Sequence, residues 1–376
     1  MEFNIKRERF LSGIQKTLGI VEKKTTMPIL NNLLLRAVAP NLIQIMATDM
    51  EIGLVANYET DVVTEGEITV SAKKIYEMVR EIQGENIHVV KNEKNVVIMN
   101  SEKAVYRILG IPADDYPVIE ENNNFTFYKL KRDILKDLMR KTYFAISNDE
   151  MRKNLTGVLL ETEKQNNSFL IRMVSTDSHR LSLAVADTKS GDFLATADYK
   201  NIIIPKKGVG EITRLLEDNE GEYINLGVMN GLLIVKTDKT ILRASLIDGD
   251  YPDYKRVIPA DRGVIIKIER DKLLHAVRRM CVVSSEKYNG MIMTLSPGRV
   301  SFNSINNDVG EANDEIEVDY SGEERNIGYN VKYFADAVEV IEEDIIDLEI
   351  NEEMRPTILR GAGNDNYFCI IMPLRI

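Results

Sequence analysis

A chain of 376 residues, 44% hydrophobic and 28% charged, is an ordinary globular composition at a length beyond what one core supports. Its net charge of −11 argues against indiscriminate nucleic-acid binding, and two cysteines, Cys281 and Cys369 in apolar strings, exclude a disulfide framework. No apolar run approaches the ~20 residues of a membrane span. The opening "MEFNIKRERF" has no signal-peptide apolar region, so a cytoplasmic protein is expected.

The first predicted element is a short alternating strand running into a basic, apolar-periodic helix, "FNIKRERFLSGIQKTL". The same element returns as "FYKLKRDILKDLMRKT" from Phe127 and as "IIKIERDKLLHAVRRM" from Ile265, at spacings of 124 and 138 residues. Those spacings are domain-sized rather than solenoid-sized. "MATDMEIGLVANY" next matches "VSTDSHRLSLAVA", with Asp49 and Asp177 in register; the third copy, "FNSINNDVGEANDEIEV", lacks the Asp. "ITVSAKKIYEMVREI", "IIIPKKGVGEITRLL" and "IGYNVKYFADAVEVI" each read as a strand entering a second helix. In the first of these, Ile75, Met78, Val79 and Ile82 keep the 3, 4 and 7 spacing of one helix face. Alternating segments such as "NLIQIMATD" and "GLLIVKTD" read as antiparallel hairpins, and Asn230-Gly231 is a hairpin turn. The pattern predicts three α+β domains of two helices on antiparallel sheets, at 1–124, 125–258 and 259–376. Three like domains in a row suggest a curved or ring-like object rather than one catalytic cleft.

Charge is unevenly spread. Lys6, Arg7, Arg9 and Lys16 against Glu8 give +3 in the first helix region. Lys131, Arg132, Lys136, Arg140 and Lys141 against Asp133 and Asp137 give +3 in the second copy. Arg270, Lys272, Arg278 and Arg279 against Asp271 give +3 in the third. Each could be a solvated face; three at equivalent positions could follow a phosphate backbone while the rest of the molecule repels it.

Catalytic signatures are missing. His88, His179 and His275 stand in unrelated contexts, no zinc-ligand spacing occurs, and there is no P-loop or dinucleotide fingerprint. "GVGEI" at 208–212 reads as a helix start. Asp114, Asp115, Asp250 and Asp253 lie beside Tyr-Pro turns, where Asp ordinarily serves the backbone. Nothing assembles a nucleophile, a base and an oxyanion site. No cofactor, no metal and no enzyme activity are expected.

"TTMPILNNLLLRA", "STDSHRLSLA", "GDYPDYKRVIP" and the closing "IMPLRI" closely resemble the bacterial sliding-clamp family, the beta subunit of DNA polymerase III, over the whole chain and in order. The resemblance implies the DNA clamp fold: a head-to-tail homodimeric ring, helices inside and sheets outside, encircling duplex DNA without reading sequence. It implies a processivity factor that tethers the replicative polymerase alpha subunit, the clamp loader and other proteins with a clamp-binding motif, in the cytoplasm at the nucleoid and with no membrane partner. The family's partner pocket maps onto Leu155, Thr176, Ser178, His179, Arg180, Leu181, Pro252, Arg256, Val257, Met354, Pro356, Ile370, Ile371, Met372, Pro373, Leu374 and Arg375, with Ser178 replacing a frequent glycine. Its DNA contacts map onto Lys24, Arg152 and Lys153. Its dimer interface maps onto Tyr106 and Ile108 facing Val282 and Val283, with Lys74 near Asp308 and Glu311. Two other readings compete: a metal-dependent DNA-processing enzyme, which needs converging carboxylates, and an acidic scaffold that binds only proteins.

Overall fold

The computed structural model describes residues 1–21, 27–117, 126–165, 168–188, 201–218, 221–260, 262–284, 289–351 and 354–375. Among them are six α-helices: α1 (Arg7–Thr17), α2 (Ala72–Glu81), α3 (Arg132–Tyr143), α4 (Lys206–Asp218), α5 (Arg270–Val283) and α6 (Val331–Val340). The expected repeat is present in all three copies. Strands Glu2–Lys6, Tyr128–Lys131 and Val264–Glu269 run straight into α1, α3 and α5. Strands Gly66–Ser71, Ile202–Pro205 and Arg325–Asn330 run into α2, α4 and α6.

Of the stripe expected in α2, Ile75 and Val79 are buried, together with Ala72; Ile82, the extended residue closing the helix, is buried too, while Met78 is half-buried. In α5 the buried residues include Leu273, Leu274, Val277 and Met280. The segment at 208–212 lies inside α4, with Val209, Ile212, Leu215 and Leu216 buried. α1 comes close to its sheet because position 13 has no side chain; a Cβ there would overlap Ile45 and Tyr58.

The chain forms two compact units. The first comprises Met1–Asp133 and Lys207–Leu246 and holds a 13-stranded sheet whose pairings are antiparallel. Strand Thr240–Ser245 of the second repeat pairs with Ile52–Glu59 of the first, making one sheet of both. Two strands away in the same sheet, Tyr223–Met229 turns back into its partner Leu232–Lys236 through Asn230 and Gly231, whose φ values of 51° and 72° are those of a tight primed hairpin turn. The second unit comprises Ile134–Lys206 and Ile247–Ile376. It holds an 8-stranded sheet, in which Arg180–Thr188 pairs with Tyr367–Ile371, and a 4-stranded sheet ending on Arg325–Asn330. The central repeat therefore contributes strands to both units. The division expected at 124 falls outside the described residues. The one at 258 falls between a 3-10 turn, Tyr254–Val257, and strand Val264–Glu269.

Candidate functional site

The turn at 176–180 organises the second unit's surface. Asp177 Oδ1 accepts the N–H groups of His179 and Arg180, each at 3.0 Å. Thr176 Oγ1 accepts from Ser178 N at 3.1 Å and donates to Arg180 O at 2.6 Å. This clamp of side chain on backbone holds Ser178 at φ 76°, in the left-handed region that favours glycine. It explains how a serine serves there.

Arg180 is nearly buried, its side chain 10% exposed. Its Nε donates to Asp177 Oδ2 at 3.0 Å, Nη1 to Asp336 Oδ2 at 2.5 Å and Nη2 to the Phe144 carbonyl at 2.5 Å. The guanidinium also lies 4.3 Å from the centre of the Tyr333 ring. Burial works against its charge, but the bond to Asp336 and the nearby Asp177 hold its pKa above the ordinary arginine value. Next to it, His179 stacks on Tyr333 with ring centres 6.3 Å apart. Arg180 thus ties the end of α3, the turn and α6 into one wall.

The closing strip crosses this wall. Met372 N donates to His179 O at 2.9 Å, and Leu374 N to Gly328 O at 2.8 Å. Leu155, Leu181 and Ile370 are buried in one cluster with Tyr251 and Tyr254, forming an apolar floor. Ile371 is fully buried but lies outside that cluster, because successive strand residues point to opposite faces. Pro252, Arg256 and Val257 are exposed beside the two tyrosines. Met354, Met372 and Leu374 are partly exposed apolar residues. Met354, Pro373, Leu374 and Arg375 line a cleft of about 830 Å³ together with strand Arg325–Asn330. Pro356 is half-buried next to it. Tyr333, Asp336 and Phe144 were missed by motif matching; the i, i+3 pair Tyr333 and Asp336 just after the capping Asn330 was the available signal.

For the DNA set, Lys24 lies outside the described residues. Arg152 and Lys153 are exposed in the turn Glu150–Leu155; Arg152 bonds Asp149 Oδ2 at 3.0 Å and Ser178 Oγ at 2.7 Å. The basic helices are largely engaged. Arg9 meets Glu59, Arg140 meets Asp137 and Glu342, Lys272 meets Glu269, and Arg278 meets Glu339. Lys16 and Lys136 have no partner among the described residues. Such exposed pairs are weak and screened, so a phosphate can compete for the cations.

Within the expected interface set, Ile108 is 7% exposed in the single chain and lies opposite Val97 in the neighbouring strand. Alternation along strand Ala104–Ile111 turns Val105, Leu109 and Ile111 outward, Leu109 at 80% exposure, while Tyr106 is half-buried. Val282 is 80% exposed and Val283 half-buried at the end of α5. Lys74 pairs with Glu77 on its own helix at 2.9 Å. Glu311 accepts from Asn303 at 2.7 Å, and the backbone N–H of Asp308 is held by Asn306.

Among the described residues, no group of three or more His, Cys, Asp or Glu could hold a metal ion. No helix there is long and apolar enough to cross a membrane.

Profiles of the DNA polymerase III beta subunit match along the chain: the N-terminal domain at residues 1–120, the central domain at 129–253 and the C-terminal domain at 255–375. The beta sliding clamp of Pseudomonas putida is 31% identical over 377 residues, covering all of both chains. The chain belongs to the bacterial beta sliding clamp family. Among solved structures, a Caulobacter crescentus beta sliding clamp superposes with a TM-score of 0.91 at 29% identity, covering 100% of this chain and 99% of that one. A Bartonella birtlesii sliding clamp, crystallised with griselimycin, superposes at 0.92 with 26% identity and full coverage of both. The three-domain α+β architecture is that of the clamps.

Proposed function

We propose that this chain closes with a second copy into a ring around duplex DNA and carries partners on the groove beside His179. The function itself follows from family membership: it is a DNA sliding clamp, the non-catalytic processivity factor of the replicative polymerase. The observation that carries the reading is full-length similarity to beta clamps across all three repeats, each with its paired helices and sheets. The work is done in the cytoplasm, at the nucleoid.

In the proposed ring, exposed Val282 and the Val105–Leu109 face of the first repeat are the apolar surfaces that meet, head to tail. The domains are the three repeats at 1–124, 125–258 and 259–376. Lys24, Arg152 and Lys153 touch phosphate, and sequence independence follows because phosphate contacts position without specifying. The polymerase alpha subunit, the clamp loader and other motif-bearing proteins place a short apolar segment on the floor of Leu155, Leu181 and Ile370. Pro252, Arg256 and Val257 lie to one side, and His179, Met372 and Leu374 to the other.

The test is retention. Loaded on nicked circular DNA by a clamp loader, the protein stays bound, and linearising the circle releases it. Release from circle and line alike contradicts a topological ring. Val282→Glu gives a folded monomer by sedimentation; an unchanged dimer mass overturns the interface assignment.

A further inference from the structure

Among the described residues five methionines are well exposed: Met27 and Met50, at 43% and 60%, in the first unit, and Met151, Met354 and Met372, at 94%, 48% and 36%, in the second, where Met354 and Met372 belong to segments of the candidate groove. Met372 is fixed beside the His179–Tyr333 stack by its bond to His179 O. Met354 lines the cleft that Leu374 also lines. Buried methionines such as Met139, Met173 and Met293 serve the core; these serve a surface. Thioethers at a binding surface are soft and adaptable, which suits a site that must take several apolar segments. They are also open to oxidation.

We propose that Met372, seconded by Met354, is a modification site at which a hydroperoxide switches partner binding off. The inference rests on the partner-groove reading. The sulfur lone pair attacks one peroxide oxygen and the O–O bond breaks. That oxygen stays on sulfur as the sulfoxide, and the other leaves as water or an alcohol after taking up a proton. Sulfur is oxidised by two electrons and the peroxide is reduced by two, so no further reactant is needed. The product replaces an apolar contact by a polar S=O that an apolar anchor cannot satisfy. A sulfoxide reductase with a thiol donor reverses the change.

Met50 gives an internal control. It is 60% exposed in the repeat-equivalent turn of the first unit, outside the groove. The experiment titrates a polymerase-derived peptide carrying the apolar anchor into the full-length protein by calorimetry, before and after hydrogen peroxide. Sulfoxide is mapped on each methionine by mass spectrometry. Expected are a loss of affinity of about tenfold or more on oxidation, recovery after sulfoxide reductase, and protection of Met372 but not Met50 when peptide is bound. The double variant Met372→Leu with Met354→Leu, compared with itself before peroxide, loses no further affinity on peroxide treatment. Met50→Leu protects nothing. If the untreated protein does not bind the peptide, the groove reading falls and this inference with it. If it binds, and Met372 sulfoxide forms without loss of affinity, or the leucine variant is equally sensitive, only this inference is overturned.

Discussion

Two turns, one in each unit, are built alike bond for bond and used differently. In the first, Thr48 Oγ1 donates to Ile52 O and accepts from Met50 N, while Asp49 Oδ1 accepts from Glu51 N and Ile52 N. In the second, Thr176 and Asp177 make the same four bonds to the residues at the same offsets. Met50 and Ser178 both sit in the left-handed region, at φ 80° and 76°. The strand of the following repeat also docks alike, Ser245 N on Glu51 O and Met372 N on His179 O. The side chains then diverge. At the first turn, the second carboxylate oxygen of Asp49 is held by Lys207 of α4, which also donates to the Ile20 carbonyl at 3.2 Å. At the second, the cation belongs to the turn itself, as Arg180, and the acid, Asp336, to the helix. Gly208 stands where α6 carries Tyr333, and Glu211 where it carries Asp336, pairing with Arg214 at 2.6 Å. One backbone template gives a closed structural joint in one place and an aromatic, apolar wall in the other.

The comparison predicts its own failures. The largest effect is expected from Arg180→Met, which leaves Asp177 buried without its cation and frees Asp336. A loss of about 3 kcal/mol of stability is expected, the low end for a broken buried pair because Asp336 keeps contact with solvent. Partner peptide binding disappears in the same variant. Thermal unfolding and calorimetry together check this, and a variant that melts early but binds normally would separate wall from site.

Lys207→Met comes next. Asp49 is 2% exposed, so stranding its charge costs about 1–3 kcal/mol. Peptide affinity stays unchanged, because that turn carries no groove. Adding Asp49→Asn recovers most of the loss, since the amide oxygen still accepts the two backbone N–H groups. No recovery in denaturant melts would mean that the ion pair is not what Lys207 supplies.

Met372→Ala should weaken the peptide by about 1 kcal/mol or more, as expected for a hot-spot contact, with little change in melting temperature. Its counterpart Ser245→Ala leaves binding alone. Equal effects on the peptide would erase the distinction between the turns.

The smallest effect concerns Glu211. Burial raises its pKa above the ordinary carboxylate value despite Arg214. The folded state therefore holds this proton more tightly than the unfolded chain. Its contribution to stability is greatest below the unfolded value and is lost as pH rises through the raised folded one. Glu211→Gln flattens that decline in a pH series of melts; an unchanged slope assigns the pH dependence elsewhere.

Much of this was legible in the residues. Helix stripes such as Ile75 and Val79, the Asn230-Gly231 turn and the shared Asp49 and Asp177 turns follow from local spacing. The missing Asp of the third copy also has a local answer, for Asn306 supplies a side-chain oxygen to Asp308 N. What sequence could not show depends on distant partners. Ile108 reads like its neighbours until the strand's alternation against Val97 decides its face. Arg180 reads as a rim cation until Asp336, 156 residues away, occupies it. The basic helices read as free charge until Glu59, Glu339 and Glu342 are found beside them.

Strand Thr240–Ser245, paired along its length with Ile52–Glu59, makes sequence repeats and cooperative folding blocks different things. A fragment cut at a repeat boundary loses half of a ladder and bares an apolar edge strand, an invitation to aggregate. Amide exchange should accordingly report protection that rises and falls together for residues 52–59 and 240–245, although almost 200 residues separate them. Fragments for display, immunisation or labelling are better cut along the sheets than along the repeats.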